Sequence, residues 1–287
     1  MYKIHEWLDE KIATHLNGTA MIDVGAYHGD FTERLLSTKN ITKSHLFEPN
    51  TEHYNYLENK FADNKNISIY PYALGNEMGI KNFNCSQDDA TGSLLQYHDK
   101  YHHENSGKTV RSFSVDVTTL DDVYAKYFPN DRIGLIKIDT QGFDLEVLKG
   151  AEKLIKEQKP WLVIELNFLP FYASQAPINS IFNWLVNAGY SLGGFFNDHY
   201  SKDKWLAFAD GIFIPENTIN TVIEPFTTKA FSEDLLEQNK YLENVCEERL
   251  ALINDLHTEA VNRLNIINNL NKQSDKQKKT EKKWYQF

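Results

Sequence analysis

The chain has 287 residues, a formal net charge of −10, and 41% hydrophobic and 13% aromatic residues, which is material for one large domain or two small ones and argues against global disorder. Its acidic balance argues against non-specific nucleic-acid binding, because neutralising phosphates takes clustered Lys and Arg. Cys85 and Cys246 are the only cysteines and no CxxC occurs, so neither a zinc site nor a disulfide framework is expected, and the compartment reads as reducing and cytoplasmic.

Residues 1–16 mix charged side chains with Ile4, Trp7, Leu8, Ile12 and Leu16 at helical spacing. They read as an N-terminal helix ending at Asn17-Gly18 and packing on the domain, not as a secretory signal. No apolar run reaches membrane-spanning length, so no transmembrane segment is expected. Strands and helices then alternate. Residues 20–24 are a short apolar run broken by Gly25, with a helix following to Leu36. Residues 44–47 form a second strand, stopped by Glu48-Pro49, and a helix runs from Thr51 to about Phe61. Residues 67–72 are a third strand. Two more apolar strands, 133–138 and 161–166, flank a helical stretch at 145–156. Residues 177–188 read as a helix with Pro177 at its start and Gly189 as its stop, and 206–214 as a late strand. Apolar, non-alternating strands between helices predict a mostly parallel sheet covered on both faces.

Two polar stretches interrupt this rhythm. Residues 85–111, which carry His98, His102 and His103, are long for a connection and read as a functional loop or a locally disordered one; as the former they would be an acceptor lid. Residues 195–204, with His199, are the second. From about Ser232 glycine and proline vanish. Cys246, Leu250, Ile253, His257, Ala260, Leu264 and Ile267 make a heptad-like seam there. Such a seam must be buried, by self-association over residues 232–275 or by packing back on the domain, and a homo-oligomer is the favoured expectation. The organisation predicted is a helix at 1–18, a catalytic domain at 19–231 and a helical, coiled-coil-like tail at 232–287 with a lysine-rich end.

Three segments carry chemistry. In 21–31, MIDVGAYHGDF, an apolar strand gives way to a glycine turn and a helix start, so backbone N–H groups can approach a ligand at the strand's carboxyl end. Asp23 could accept bonds from the turn's own amides or from a ligand's ammonium. The glycines, Gly25 and Gly29, do not make GxGxxG, which disfavours a dinucleotide. About two dozen residues on, Glu48 stands at the tip of the second strand, where an acid accepts ribose hydroxyls in nucleoside-binding α/β folds. In 136–155, IKIDTQGFDLEVLKGAEKLI, another apolar strand ends in an acid, Asp139, and then glycine and a helix. Lys137 inside that strand could pair with an acid. Asp144 and Glu146 suit a helix start, and Glu165 ends the next strand.

Asp23-Val24-Gly25-Ala26, Phe47-Glu48-Pro49, Ala73-Leu74-Gly75, Ser93-Leu94, Thr119-Leu120-Asp121-Asp122, Lys137-Ile138-Asp139 with Gly142, Leu148-Lys149-Gly150-Ala151, Glu165, and Asp210 with Phe213 follow one another in the order seen in FkbM-type methyltransferases. The resemblance covers roughly residues 20–215 and is most specific over 137–151. Tyr27 stands where that pattern commonly has Asn, Gln141 where it has an acid, and Asp144 where it has Glu. The resemblance implies a Rossmann-like class I methyltransferase fold with S-adenosylmethionine as the methyl donor. It also implies O-methylation of a hydroxyl on a sugar, glycan or small molecule. Carried onto this chain, Asp23, Gly25, Ala26, Tyr27, Gly29, Glu48 and Asp139 would bind the cofactor. Asp139, His199 and His102 are the candidates for proton transfer. A metal held by Asp139 and Glu165 is less expected than none, since no compact ligand cluster is visible. Two other classes compete: a nicotinamide-dependent oxidoreductase, which the missing GxGxxG disfavours, and a non-catalytic scaffold carried by the coiled-coil tail.

Overall fold

The computed structural model describes residues 16–87, 89–98, 109–218 and 263. The expected N-terminal helix (apart from residues 16–18), His102 and His103, and all but one residue of the expected helical tail lie outside the described residues. The chain divides into two units, 1–222 and 223–287, and both sheets of the described residues belong to the first.

A seven-stranded sheet forms the centre of that unit. Five strands, β1 (Thr19–Val24), β2 (Ile41–Phe47), β3 (Ile67–Tyr70), β7 (Ile133–Ile138) and β8 (Trp161–Asn167), are mutually parallel, in the order β3-β2-β1-β7-β8. β10 (Leu206–Pro215) then pairs antiparallel with β8, and β9 (Tyr190–Tyr200) antiparallel with β10. Every residue of β1 and β8 is buried, as strands covered on both faces must be. The two faces sort by side-chain alternation: Ala20, Ile22 and Val24 join one core with Ile136, Ile138 and Leu162, while Met21 joins Leu135, Trp161 and Val163 in the other. Helices α1 (Asp30–Ser37), α2 (Thr51–Lys60), α3 (Leu120–Tyr127), α4 (Asp144–Gly150), α5 (Glu152–Gln158) and α6 (Ile178–Asn187) make the connections. This is the mostly parallel, helix-covered sheet expected from the apolar strands. Among the described residues no helix is long and apolar enough to cross a membrane.

Three differences from the sequence reading have local physical causes. The single helix expected over 145–156 is two, because Asp121 at the start of α3 accepts the N–H groups of Lys153 (3.0 Å) and Leu154 (2.8 Å). These bonds cap α5 as a helix of its own. The polar stretch 195–204 is largely the end of β9, which as an edge strand keeps a solvent-facing side and so tolerates Asn197 and Asp198. The third difference is a small second sheet, in the order β4-β6-β5, made of β4 (Ala73–Leu74), β5 (Gly79–Cys85) and β6 (Arg111–Thr118). Cys85 and Arg111 are therefore the two ends of an antiparallel pair, and the expected lid begins as ordered sheet. Its segment 89–98 is held in place at three points. Asn84 and Ser93 exchange backbone bonds of 2.8 and 3.0 Å, the N–H of His98 donates to the carbonyl of Phe171 at 2.8 Å, and Tyr97 bridges to Tyr172.

Candidate active site

In the central sheet, the chain leaves β1 toward β2 on one side and β7 lies on the other, so a crevice opens at the carboxyl ends of β1, β2 and β7. This is the switch point at which open α/β sheets bind ligands. A cleft of about 990 Å³, open mouth included, lies there, and the strand-end turns meet the small second sheet across it. Gly25, Ala26 and Tyr27 line it from the first turn, Glu48 and Pro49 from the second strand, Lys137, Asp139 and Gln141 from the third, and Phe83, Gly92 and Leu94 from the added sheet and the segment after it.

The first turn works through its backbone. Gly25 has φ +77°, and a Cβ on it would stand 1.9 Å from the carbonyl oxygen of Asp139. Only glycine lets the β1 turn lie against the end of β7. Tyr27 also sits in the left-handed region, at φ 48°. Its N–H donates to Glu48 Oε2 at 2.9 Å, and the N–H of Asn50 donates to Oε1 at 2.9 Å. The Tyr27 ring stacks on His28 (3.8 Å between centroids) and meets the edge of His53 (4.6 Å). Burial pushes the Glu48 carboxyl up to about 7, against the two backbone donors that favour its ionised form. Each Glu48 oxygen accepts one backbone bond and has capacity for a second. That spare capacity, facing the cleft, suits the two hydroxyls of a ribose. The apolar wall of Phe47, Pro49, Leu74 and Phe83 beside it suits a flat base, so the residues fit an adenosyl cofactor.

Asp23 has a different place from the one expected. It is fully buried and does not line the cleft. The Thr32 hydroxyl of α1 donates to its Oδ2 at 2.7 Å, and Lys137 Nζ stands 3.7 Å from its Oδ1. Burial raises the Asp23 carboxyl and Lys137 opposes that rise. Asp23 thus joins β1, α1 and Lys137 behind the turn. Gly29 is behind it too: as the residue before α1, with φ +73°, it packs against Leu57 of α2 and Phe61 just after it.

At the reacting end, Asp139 follows β7, and its N–H donates to the Val24 carbonyl at 3.0 Å. Its Oδ2 accepts Lys137 Nζ at 3.1 Å and its Oδ1 accepts Gln141 Nε2 at 2.9 Å. Burial alone would lower the Lys137 ammonium, but Asp139, Asp23 and Asp210 outweigh it and hold it protonated. Gln141 is buried, at φ 54°, and its Nε2 also donates to Glu165 Oε2 at 2.7 Å. Burial, and next Asp139, Asp144 and Asp210, push Glu165 well above the usual carboxyl range. Asp210, opposite Glu165 in the β8–β10 register, is raised to about 6 by burial and then by Asp139. Asp144 ties down the intervening loop. Its Oδ1 accepts the N–H and hydroxyl of Thr140, each at 2.9 Å, and its Oδ2 accepts the N–H of Gly142 at 3.1 Å. Burial raises it to about 6.

Of the sequence candidates, the cleft therefore brings together Gly25, Ala26, Tyr27, Glu48 and Asp139. His199 is on β9, stacked on Phe208 at 4.3 Å, and is not among the cleft-lining residues. Sequence reasoning missed the ring cluster of His28 and His53 and the wall of Phe83, Gly92 and Leu94. The alternation in β6, with Val115 and Val117 buried beside the exposed Ser114 and Asp116, is the signal that could have found the added sheet.

The Methyltransferase FkbM domain family matches residues 23–192. Among solved structures, methyltransferase FkbM from Methylobacillus flagellatus KT is 21% identical with a TM-score of 0.45; the alignment covers 67% of this chain and 43% of that one. TrmK of M. capricolum, solved with S-adenosylhomocysteine, is 15% identical with a TM-score of 0.40, covering 73% of this chain and 67% of that one. A precorrin-6y C5,15-methyltransferase from Geobacter metallireducens GS-15 is 10% identical with a TM-score of 0.39, covering 74% and 85%. No curated protein matches the chain.

Proposed function

The chain belongs to the FkbM methyltransferase domain family, a family of S-adenosylmethionine-dependent enzymes, and from that premise we propose that it methylates a hydroxyl, that of a sugar or glycan, with Asp139 taking the proton. One observation carries this reading. A single cleft is lined by two carboxylates of opposite use, Glu48 after β2, buried with spare acceptor capacity, and Asp139 after β7, beside the Lys137 ammonium.

When bound, S-adenosylmethionine would supply a sulfonium methyl for in-line attack by the acceptor oxygen, the C–O bond forming as the C–S bond breaks and S-adenosylhomocysteine leaves. The protein's share is placement and proton handling. Glu48 accepts the ribose hydroxyls, and the N–H groups of Tyr27 and Asn50 hold its carboxylate in place. Gly25 and Ala26 give a turn without bulk. Lys137 holds the Asp139 carboxylate in place through the 3.1 Å bond to its Oδ2. Asp139 accepts the acceptor's hydroxyl proton as the oxygen attacks. The net charge of −10 favours a neutral sugar acceptor over a polyanion. Assembly through residues 232–275 remains part of the proposal and is tested by light scattering on the full chain and on a version ending near Phe231.

The functional test uses calorimetry and turnover together. S-adenosylmethionine is expected to bind the wild-type chain. Label from its methyl group is expected to pass to a sugar hydroxyl in a panel that also contains tRNA and a nucleoside. Transfer to tRNA alone, or binding of NAD in place of S-adenosylmethionine, rejects the reading.

A further inference from the structure

Gln141 has every polar group of its side chain engaged. Its Nε2 donates to two carboxylates, Asp139 Oδ1 at 2.9 Å and Glu165 Oε2 at 2.7 Å, and its Oε1 accepts the Tyr172 hydroxyl at 2.6 Å. Turned over, the amide would set its oxygen against Asp139 Oδ1 and lose that bond. The main chain of Gln141 is held as well, since Ser93 Oγ donates to its carbonyl at 2.8 Å. Tyr172 and Ser93 connect this amide to the wall of the cleft. The Tyr172 hydroxyl also lies 3.1 Å from the carbonyl of Thr91, and Ala90, Gly92 and Leu94 on either side line the cleft. A non-glycine residue at φ 54° stores backbone strain. The surrounding bonds keep it there.

We propose that Gln141 is the positioning residue of the reacting end. Its amide clamps Asp139 in its cleft-facing orientation and ties it to the wall segment 89–98 that an acceptor meets. The inference rests on the reading of Asp139 as the proton acceptor, but its structural half stands apart from any acceptor. An N–H donor to a carboxylate favours the ionised form, and a carboxylate in its place disfavours it. The other groups facing Asp139 are Lys137 on its own strand, Asp23 from β1, Asp144 from α4, Glu165 from β8, Asp210 from β10 and Tyr172. All six are kept in both Gln141 variants, and the first five in Tyr172→Phe.

The test is a carboxyl NMR titration of the full chain with isotope-labelled aspartate, the Asp139 signal being assigned by its loss in Asp139→Asn. The Asp139 midpoint is expected to move to higher pH by about half a unit or more in Gln141→Ala. It should move further in Gln141→Glu, and less, in the same direction, in Tyr172→Phe, which frees the far end of the amide. Affinity for S-adenosylhomocysteine should stay within about twofold in all three, since none of the three bonds holds Glu48. Coincident midpoints in wild type, Gln141→Ala and Tyr172→Phe overturn the inference. If the Gln141 variants fail to fold, Tyr172→Phe decides alone. With a sugar acceptor in hand, kcat should fall about tenfold in Gln141→Ala, with the acid limb of its pH profile moved upward. A wild-type chain that methylates no hydroxyl defeats the functional reading but leaves the titration result standing.

Discussion

The cleft is bounded by two turns that look alike in sequence and act differently. After β1 the chain turns through Gly25 and Tyr27, and after β7 through Gln141 and Gly142. Each turn follows an apolar strand, and each places a non-glycine residue in the left-handed region, Tyr27 at φ 48° and Gln141 at φ 54°. In the first turn the working part is the main chain: the Tyr27 N–H reaches Glu48, while its ring packs against His28 and His53. In the second the working part is the side chain, whose amide joins Asp139, Glu165 and Tyr172. Side-chain identity should therefore matter little at the first turn, apart from its glycine, and a great deal around the second.

The largest expected effect is at the second turn. Asp139→Asn keeps the shape and removes the proton acceptor, so turnover should fall roughly 10²- to 10⁴-fold. Calorimetry should find S-adenosylhomocysteine binding little changed. An active variant would leave Asp139 with a structural role and move the chemistry elsewhere. The matching break at the first turn is Gly25→Ala. Its methyl would have to displace the Asp139 carbonyl, 1.9 Å away, and sit at φ +77°, so unfolding in urea should show a loss of roughly 3 kcal/mol. A stable Gly25→Ala protein would mean that the two turns are not in contact.

How much of this contrast the sequence carried depends on what each residue touches. The parallel sheet was legible because β1, β7 and β8 are mostly apolar without strict alternation, a pattern set by burial on both faces. Glu48 and Asp139 were legible because strand-end position fixes where a side chain emerges. The role of Asp23 was not. Residue spacing shows that an acid follows Ile22, but not that Thr32 and Lys137 enclose it behind the turn. The added sheet was hidden by the polar residues of its exposed side, and the role of Gln141 by its dependence on Tyr172 and Ser93, 31 and 48 residues away in sequence.

Glu48 sharpens the comparison from the cofactor side. Glu48→Ala should weaken S-adenosylhomocysteine by about 1.5–3 kcal/mol, the worth of hydrogen bonds to a charged group, or roughly tenfold to a hundredfold. The same carboxyl gives a pH dependence. In the free protein burial raises it from 4.5 to about 7, so the folded chain holds this proton more tightly than the unfolded chain does. Its contribution to stability is full below about pH 4.5 and is lost as pH rises through about 7. Ribose hydroxyls donating to the carboxylate favour the ionised form. Binding therefore releases the proton below pH 7, and affinity should fall there by up to about tenfold per pH unit. Glu48→Gln, measured with the same ligand over the same range, should remove that slope. An identical slope in the variant would assign the proton to another group.

The smallest expected effect is the most direct test of the contrast. Tyr27→Asn keeps the main-chain N–H that donates to Glu48, and it relaxes the backbone, because Asn occupies the left-handed region more readily than a bulky ring does. Against this it loses the stack on His28 and the edge contact with His53, worth about 0.5–1.5 kcal/mol each. The terms oppose one another, so stability should change by no more than about 1 kcal/mol in either direction. Affinity for S-adenosylhomocysteine should change by less than about fivefold, since the bond to Glu48 is retained. Calorimetry and urea unfolding on the same preparation read both quantities. If Tyr27→Asn weakens the ligand as deeply as Glu48→Ala does, the ring is itself part of the cofactor site. The first turn would then act through a side chain as the second does, and the distinction between them fails.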